Sequence, residues 1–223
     1  MQRIYKILPK YAFLPLIICL GLNAFTYFGT RLFTTGLYHY DLSLPIDHMI
    51  PFTPFMMSVY VLAYVVWIVG FIVIGRESRE VCYEVLTAEQ IAKLCCLVAF
   101  IAIPTTIIRP EVTGTGTGFF QWLSRLIYSM DSPDNLLPSV HCLENWICFR
   151  GAMKCKKVGK GYKIFTFVAA ILVFASTLMV KQHVVLDVVA AIVVVELGLF
   201  LSRRFNLSKI YFIIEDRLFK KTN

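Results

Sequence analysis

With 58% of its 223 residues hydrophobic and only 16% charged, the chain lacks the composition of a soluble domain, in which about a quarter of the residues are charged. Its mean hydropathy of +0.70 indicates an integral membrane protein. The net charge of +8 raises nucleic-acid binding as an alternative. However, 18 of the 22 Lys and Arg residues fall on one face of the membrane in the predicted topology, as cytoplasmic loops require. The basic excess therefore reflects topology, and no nucleic-acid partner is expected.

Six apolar segments approach or exceed the length of about 20 residues that a helix needs to cross a bilayer. The sequence predicts an all-α integral membrane protein, a six-transmembrane helix bundle formed by one polytopic domain over residues 1–223. The N- and C-termini are predicted to be cytoplasmic, and Lys93 is assigned to a cytoplasmic loop. The fourth segment is interrupted by His141, Glu144 and Asn145, and we count it as a span because the loops beside it would otherwise share one face. The predicted spans are residues 11–29, 54–75, 91–108, 138–152, 164–181 and 183–202.

Polar residues from distant parts of the chain are predicted to meet at the outer membrane face. The third predicted span ends there, the fourth begins there, and the last two spans are joined there by a very short turn. Histidines in the long first loop, His39 and His48, are read as surface residues, and Glu196 in the last span is assigned no function. The outer leaflet thus receives two cations, two histidines, a serine and a carboxylate, namely Arg109, Ser139, His141, Lys181, His183 and Asp187.

His183 and Asp187 are four residues apart, a spacing that places both on one face of a helix. An aspartate in this position can accept the proton of one imidazole nitrogen and leave the other nitrogen basic, as in enzymes that use histidine as a nucleophile. A structural hydrogen bond that joins two helices explains the same pair. His141 is a second proton carrier in the group, or a member of an internal polar network with Glu144 and Asn145.

The cations and the serine suit a phosphate group. Arg109 offers a bidentate fork and Lys181 a point charge for phosphate oxygens. Ser139 follows Pro138 at the start of the fourth span, where free N–H groups and the helix dipole favour an anion. Ser139 is equally suited to be a helix cap, and the two cations to be interfacial anchors. No carboxylate cluster suited to Mg²⁺ is present, so no metal and no cofactor are expected.

These motifs resemble those of the type-2 phosphatidic acid phosphatase superfamily, whose signature combines the blocks K-x6-R-P, P-S-x-H and S-R-x5-H-x3-D. The second block is present in full as residues 138–141, and the third keeps His183 and Asp187 at the family spacing. Two family cations are replaced, by Ala102 and Thr177, and Lys181 is positioned to supply a charge one helical turn after Thr177. A basic residue two before the histidine, together with the segment "DHMIPFTP" at 47–54, is similar to the sphingolipid-synthase and inositol phosphorylceramide synthase branch.

The resemblance implies a metal-independent lipid phosphatase that acts on a phosphomonoester or pyrophosphate of a membrane lipid. It implies that His183 becomes a phosphohistidine, that Asp187 raises its nucleophilicity, and that His141 protonates the leaving group and later activates water. Arg109, Ser139 and Lys181 would hold the phosphate. The expected partners are a lipid phosphate substrate and the bilayer, and the expected location is a bacterial cell membrane with the site on the extracytoplasmic face.

Two other functions stay open at the level of the sequence. A phosphotransferase of the inositol phosphorylceramide or sphingomyelin synthase type would pass the headgroup to a lipid alcohol instead of water. In a transporter or membrane cytochrome, the facing histidines would ligate haem, or Asp187 or Glu196 would relay protons. The sequence does not indicate the lipid substrate or the oligomeric state.

Overall fold

The structure, a computed structural model, describes residues 7–112 and 118–219. This part of the chain is mostly helical, and its two strands have two residues each. The elements in chain order are α1 (Lys10–Ala24), a π-helical turn (Phe25–Gly29), α2 (Arg31–Thr34), β1 (Tyr40–Asp41), α3 (Pro45–Met49), α4 (Met56–Glu77), α5 (Arg79–Ala102), β2 (Thr105–Thr106), α6 (Phe119–Met130), α7 (Val140–Lys154), α8 (Lys160–Met179), α9 (Val185–Arg204) and α10 (Lys209–Phe219).

Five helical segments within the described residues are long and apolar enough to cross a membrane. At most 50% of the apolar window of any of them is buried inside the protein, so the remainder is free to face lipid. The expectation of a helical protein with several membrane-spanning segments is confirmed at this level. The five segments are Lys10–Thr34, Met56–Glu77, Arg79–Ala102, Lys160–Met179 and Val185–Arg204.

The boundaries predicted for the third span, 91–108, are wrong at both ends. Helix α5 begins at Arg79, directly after α4, because the Ser78 hydroxyl caps it by accepting a hydrogen bond from the Val81 N–H at 3.3 Å. The helix ends at Ala102, two residues before Pro104, and the chain then becomes extended. Polar residues between 76 and 93 had suggested a loop, but Arg76 and Glu77 belong to the end of α4, and the residues from Arg79 onward belong to α5.

Lys93 is the clearest consequence of this difference. The sequence predicts Lys93 in a cytoplasmic loop, but the residue lies in the second half of α5 with none of its surface exposed. Its ammonium group pairs with the Glu144 carboxylate on α7 at 2.7 Å and donates to the Asn23 amide oxygen on α1 at 2.5 Å. The charge of Lys93 is evident from the sequence. Its two partners, however, come from other helices, and the residues next to Lys93 in the sequence do not indicate them.

Helix α7, in place of the fourth predicted span, has 15 residues and is therefore only about 22 Å long. It is not among the five long apolar segments. It packs against α4, α5, α8 and α9, and most of its residues are buried. Its polar positions His141, Glu144 and Asn145 thus face other helices and not lipid.

Two glycines allow the helices to approach closely. A Cβ atom at Gly198 of α9 would lie 2.3 Å from the carbonyl oxygen of Ala88 on α5, and one at Gly70 of α4 would lie 2.5 Å from the Cys148 sulfur on α7. Any larger side chain at these positions would push the helices apart. The tight packing brings α9 against α5 and α4 against α7.

The short strands join three loops at one end of the bundle. β1 of the first loop pairs in parallel with β2, which directly follows α5. Thr106 of β2 also forms an antiparallel bridge with Asp134, in the segment that leads to α7. The first loop, the exit of α5 and the entrance of α7 are therefore held together.

The opposite end of the bundle is rich in basic residues held by carboxylates. Glu84 accepts hydrogen bonds from Lys154 and, at 2.5 Å, from Arg203. The Glu77 carboxylate accepts from the backbone N–H groups of Lys156 and Lys157 at 2.8 and 3.0 Å. These contacts fix the short connection between α7 and α8.

Candidate active site

A cavity of about 510 Å³ opens at the end of the bundle where the loops meet. Three of the predicted site residues, Arg109, Lys181 and His183, line it together, although they come from two distant parts of the chain. The first loop provides much of the remaining wall. The other lining residues are Asp41, Ser43, Asp47, His48, Ile50, Pro51, Phe52, Ile107, Ile108, Pro110 and Leu178.

His183 is oriented by Asp187, as the spacing predicts. Its Nδ1 atom lies 3.2 Å from the Asp187 Oδ2 atom, and that same oxygen accepts a hydrogen bond from the Val184 N–H at 3.0 Å. Both side chains are buried, with 7% of His183 and 1% of Asp187 exposed. A carboxylate at Nδ1 favours the tautomer with its proton on that nitrogen. The lone pair is then on Nε2, the nitrogen that is left for a reaction in the cavity.

His141 lies behind His183 and does not line the cavity. The centroids of the two rings are 6.4 Å apart. The imidazole of His141 stacks on Tyr60 at 4.0 Å, and its Nδ1 atom is 3.2 Å from the Tyr60 hydroxyl oxygen. Its Nε2 atom is buried and has no hydrogen-bond partner among the described residues. The second predicted proton carrier is thus close to the first, with one nitrogen unengaged.

Ser139 does not line the cavity either, contrary to its predicted role as a phosphate ligand. The residue is fully buried, and its hydroxyl oxygen accepts a hydrogen bond from the Cys142 N–H at 3.3 Å, which makes it the N-cap of α7. Its own N–H donates to the Asp187 carbonyl oxygen at 3.1 Å. Ser139 therefore caps one helix and ties it to the first turn of α9, the turn that carries Asp187.

Arg109 reaches the cavity from the extended segment after β2. Its guanidinium group donates to the Gln182 side-chain oxygen and, at 2.5 Å, to the Asp131 carbonyl oxygen, and it lies 4.8 Å from the centre of the Tyr128 ring. Burial lowers the pKa of Arg109, and Asp131 opposes this shift. The guanidinium remains protonated at neutral pH, since its ordinary pKa is above 12. Burial also raises the pKa of Tyr128 to about 12, so its phenol stays neutral beside the cation.

Lys181 lines the cavity while it holds the first loop. Its ammonium group donates to the carbonyl oxygens of Asp47 and Ile50 at 2.7 and 2.6 Å. The expected placement one helical turn after Thr177 is wrong, because α8 ends at Met179 and Lys181 has a left-handed backbone conformation with φ of 52°. The charge reaches the cavity from the turn and not from the helix.

Sequence reasoning missed several residues of this region. Asp131 joins three parts of this region. The Asp131 carboxylate accepts hydrogen bonds from the Tyr27 hydroxyl at 2.5 Å and the Tyr60 hydroxyl at 3.2 Å, and the Asp131 carbonyl oxygen accepts one from Arg109. Gln182 was not singled out in the sequence. His48 was read as a surface residue; it is exposed, and it is also part of the cavity wall. No local pattern marks these residues, because each acquires its role from a partner far away in the chain.

Four of the eleven buried side-chain polar atoms that have no hydrogen-bond partner within the described residues lie in this region. They are Arg109 Nε, Gln182 Nε2, His141 Nε2 and Asp187 Oδ1. Unpaired buried polar groups are costly, and the one on the cavity wall, Arg109 Nε, is a donor that a polar ligand would satisfy. The described residues contain no group of three His, Cys, Asp or Glu side chains that would hold a metal ion.

Comparison with known proteins adds no relative: no protein-family model matches the chain, and neither curated proteins nor solved structures match it. The assignment of a function therefore depends on the geometry of the cavity and on the motifs of the sequence.

Proposed function

We propose that the chain is a metal-independent membrane lipid phosphatase that works through a phosphohistidine. The observation that carries this proposal is the cavity wall, where His183, oriented by Asp187, stands beside Arg109 and Lys181. A nucleophile and two cations at one cavity are what the transfer of a phosphoryl group requires. The motifs at 138–141 and 183–187, which resemble the type-2 phosphatidic acid phosphatases, support the same reading.

In the first step, His183 Nε2 attacks phosphorus and the bond to the lipid oxygen breaks. That oxygen takes a proton from His141 through a water molecule, because His141 lies behind His183 and does not line the cavity. In the second step, His141 takes a proton from water, the water oxygen attacks phosphorus, and the phosphohistidine bond breaks to release inorganic phosphate. His141 starts the cycle protonated and is protonated again when it ends. Asp187 stabilises the positive charge that forms on the His183 ring in between.

Arg109 and Lys181 would bind the phosphoryl oxygens as negative charge builds up on them. In the structure, Lys181 donates to two backbone carbonyl oxygens. Arg109 donates to one backbone carbonyl oxygen and to the side-chain oxygen of Gln182. A phosphate group is a stronger acceptor than a neutral carbonyl, so it would replace some of these contacts. The unpaired Nε of Arg109 supplies a further donor without any exchange.

We propose a topology of six crossings, with α7 as a short crossing enclosed by the five longer segments. The cations that cluster at the end of the bundle remote from the cavity support a cytoplasmic position for that end and for both termini. When Lys93 is left out of the cytoplasmic group, the difference in the number of cations between the two ends is nearly as large. Among the described residues, the cavity end holds only Arg31, Arg109, Arg125 and Lys181. The cavity would then open on the extracytoplasmic face of a bacterial cell membrane.

Phosphate release tests the proposal. Purified protein in detergent should release inorganic phosphate from phosphatidate or from a polyprenyl pyrophosphate in the presence of EDTA, and His183→Ala should abolish the release. His39→Ala is the matched control, because His39 lies in the first loop but does not line the cavity. Equal release by wild type and His183→Ala, or release that stops in EDTA, would contradict the proposal.

Phosphotransfer to a lipid alcohol is the second candidate. It is favoured by the polar side chains that the first loop adds to the same cavity, since Asp41, Ser43 and His48 offer acceptors and donors to a second substrate. Purified protein would be incubated with a phospholipid donor and with ceramide or diacylglycerol. A new phospholipid in the mass spectrum that depends on the alcohol would favour transfer, and its absence would remove this candidate.

A further inference from the structure

A second group of ionisable side chains lies inside the bundle, away from the cavity wall. Lys93 and Glu89, one helical turn apart on α5, have no exposed surface, and Glu144 on α7 has 3%. Ionisable groups within a membrane span are rare and costly, and they mark sites where charge is used. The proposed hydrolysis assigns no role to any of the three.

The charges of this group do not balance if all three side chains are ionised. Lys93 forms an ion pair with Glu144 at 2.7 Å and donates to the Asn23 amide oxygen at 2.5 Å. This leaves Glu89 as a second carboxyl group beside a single cation. Lys93 and Glu144 both interact electrostatically with Glu89, so the three form one coupled group.

Glu89 has no strong hydrogen-bond donor to stabilise a negative charge. Within the described residues, neither of its side-chain oxygens has a partner at full hydrogen-bond geometry. The Cys19 thiol interacts with Glu89 but is a weak donor, and it is also directed to the Leu86 carbonyl oxygen at 3.9 Å. A buried carboxylate without a donor or its own cation is far less stable than the neutral acid.

The other titratable groups near Glu89 cannot supply a positive charge. They are Cys19 of α1, Cys96 of α5, Cys148 of α7 and Tyr211 of α10, all neutral or negative when they titrate. His141 of α7, which does become a cation when protonated, interacts with Lys93 and not with Glu89. Helix α9 approaches through Gly198, against the Ala88 carbonyl, and contributes no charge at that contact.

We propose that Lys93, Glu144 and Glu89 form a proton-binding site inside the bundle. Glu89 holds one proton, while Glu144 is ionised and paired with Lys93. A second buried carboxyl oxygen without a partner, Glu144 Oε2, provides a position to which the proton moves when Lys93 turns to Glu89. Lys93 repels metal cations, so the ligand of the site is a proton. Glu144 follows His141 by three residues on α7, which puts the site directly behind His141 as seen from the cavity.

Infrared difference spectroscopy tests this site without any substrate, so the outcome does not depend on the proposed hydrolysis. The readout is the carbonyl stretch of a protonated carboxylic acid in purified protein at neutral pH, compared between wild type and variant. Glu89→Gln should remove one such band. Glu144→Gln should remove the same band, because Glu89 then ionises and becomes the partner of Lys93. Lys93→Met should add a second band, because neither carboxylate then has a cation.

The control is Glu84→Gln at the other end of α5. Glu84 is paired with Lys154 and Arg203, so its replacement should remove only an ionised-carboxylate band. The amide bands of the same spectra show whether each variant is folded. If the other variants do not fold, the nearly isosteric Glu89→Gln variant alone decides the test. A Glu89→Gln difference spectrum without a protonated-acid band would overturn the proposal. A protonated-acid band that survives in folded Glu144→Gln would also overturn it.

Discussion

His183 has two ring nitrogens, and its neighbours decide which of them can react. The four-residue spacing to Asp187 indicated the pair in the sequence, but His183 lies in the turn before α9, which begins at Val185, and not on the helix face that the spacing predicted. The sequence did not indicate that the same carboxylate also accepts from the Val184 N–H. That second contact holds Asp187 in place while it orients the imidazole.

Asp187→Asn tests this orienting role. An amide can donate to Nδ1 and so stabilise the wrong tautomer, and we expect phosphate release to fall on the order of 10²- to 10⁴-fold, as when the aspartate of a serine-protease triad is replaced. Steady-state kinetics at saturating substrate measure the change, with Glu111→Gln on an exposed loop as the control. A variant that keeps more than about a third of the wild-type rate would show that Asp187 is only structural.

Ser139 was predicted to bind phosphate, but its hydroxyl caps α7. Loss of an N-cap costs about 1 kcal/mol, so Ser139→Ala should lower the thermal stability while the turnover number changes less than about tenfold. Ser139→Asn, which can still cap a helix, should restore the stability. Loss of an oxyanion donor instead lowers turnover about 10²- to 10³-fold. A loss of that size in both variants would show that the hydroxyl binds phosphate.

At the scale of elements, hydrogen bonds attach the first loop to the turn between α8 and α9. Lys181, in its left-handed conformation, donates to two carbonyl oxygens of that loop, and the Asp47 carboxylate accepts from the Val185 N–H at 2.8 Å. Residues 47–50 are therefore attached to the turn that carries His183. Loops of a polytopic protein are hard to place from sequence, because such contacts join residues more than 130 positions apart.

Lys181→Met should release the first loop. The loss of two charge-assisted hydrogen bonds removes about 3–6 kcal/mol of local interaction, and residues 37–53 should exchange backbone hydrogens at least tenfold faster. Hydrogen–deuterium exchange followed by mass spectrometry measures the rate. Lys157→Met is the matched control, because Lys157 donates to two carbonyl oxygens, of Arg76 and Glu77, at the other end of the bundle. Unchanged exchange in the first loop of Lys181→Met would contradict the proposed attachment.

Helix α5 shows why the element boundaries were harder to predict than the motifs. Apolar stretches mark where a helix faces lipid, but α5 is half buried against its neighbours, and its buried face carries Glu89 and Lys93. Lys93 was read as a sign of solvent. Its partners are Glu144 and Asn23, on helices far away in the chain, and no local pattern contains that information.

At the scale of the whole molecule, the cavity and the basic residues lie at opposite ends of the bundle. This separation predicts which residues are reached from each side of the membrane. Ser43→Cys, in the cavity wall, should be labelled by a membrane-impermeant maleimide in intact cells. Lys156→Cys, in the short connection between α7 and α8, should be labelled only after the membrane is permeabilised. Labelling of both from the same side would exclude the proposed topology.

The most direct test of the proposed chemistry is to look for the phosphorylated enzyme. Protein mixed with lipid substrate would be quenched in base within one turnover, because phosphohistidine is stable there, and digested for mass spectrometry. We expect one phosphate on the peptide that contains His183 and none on that peptide from His183→Ala. Rapid release of inorganic phosphate with no phosphate on His183 at any time of quenching would contradict the mechanism.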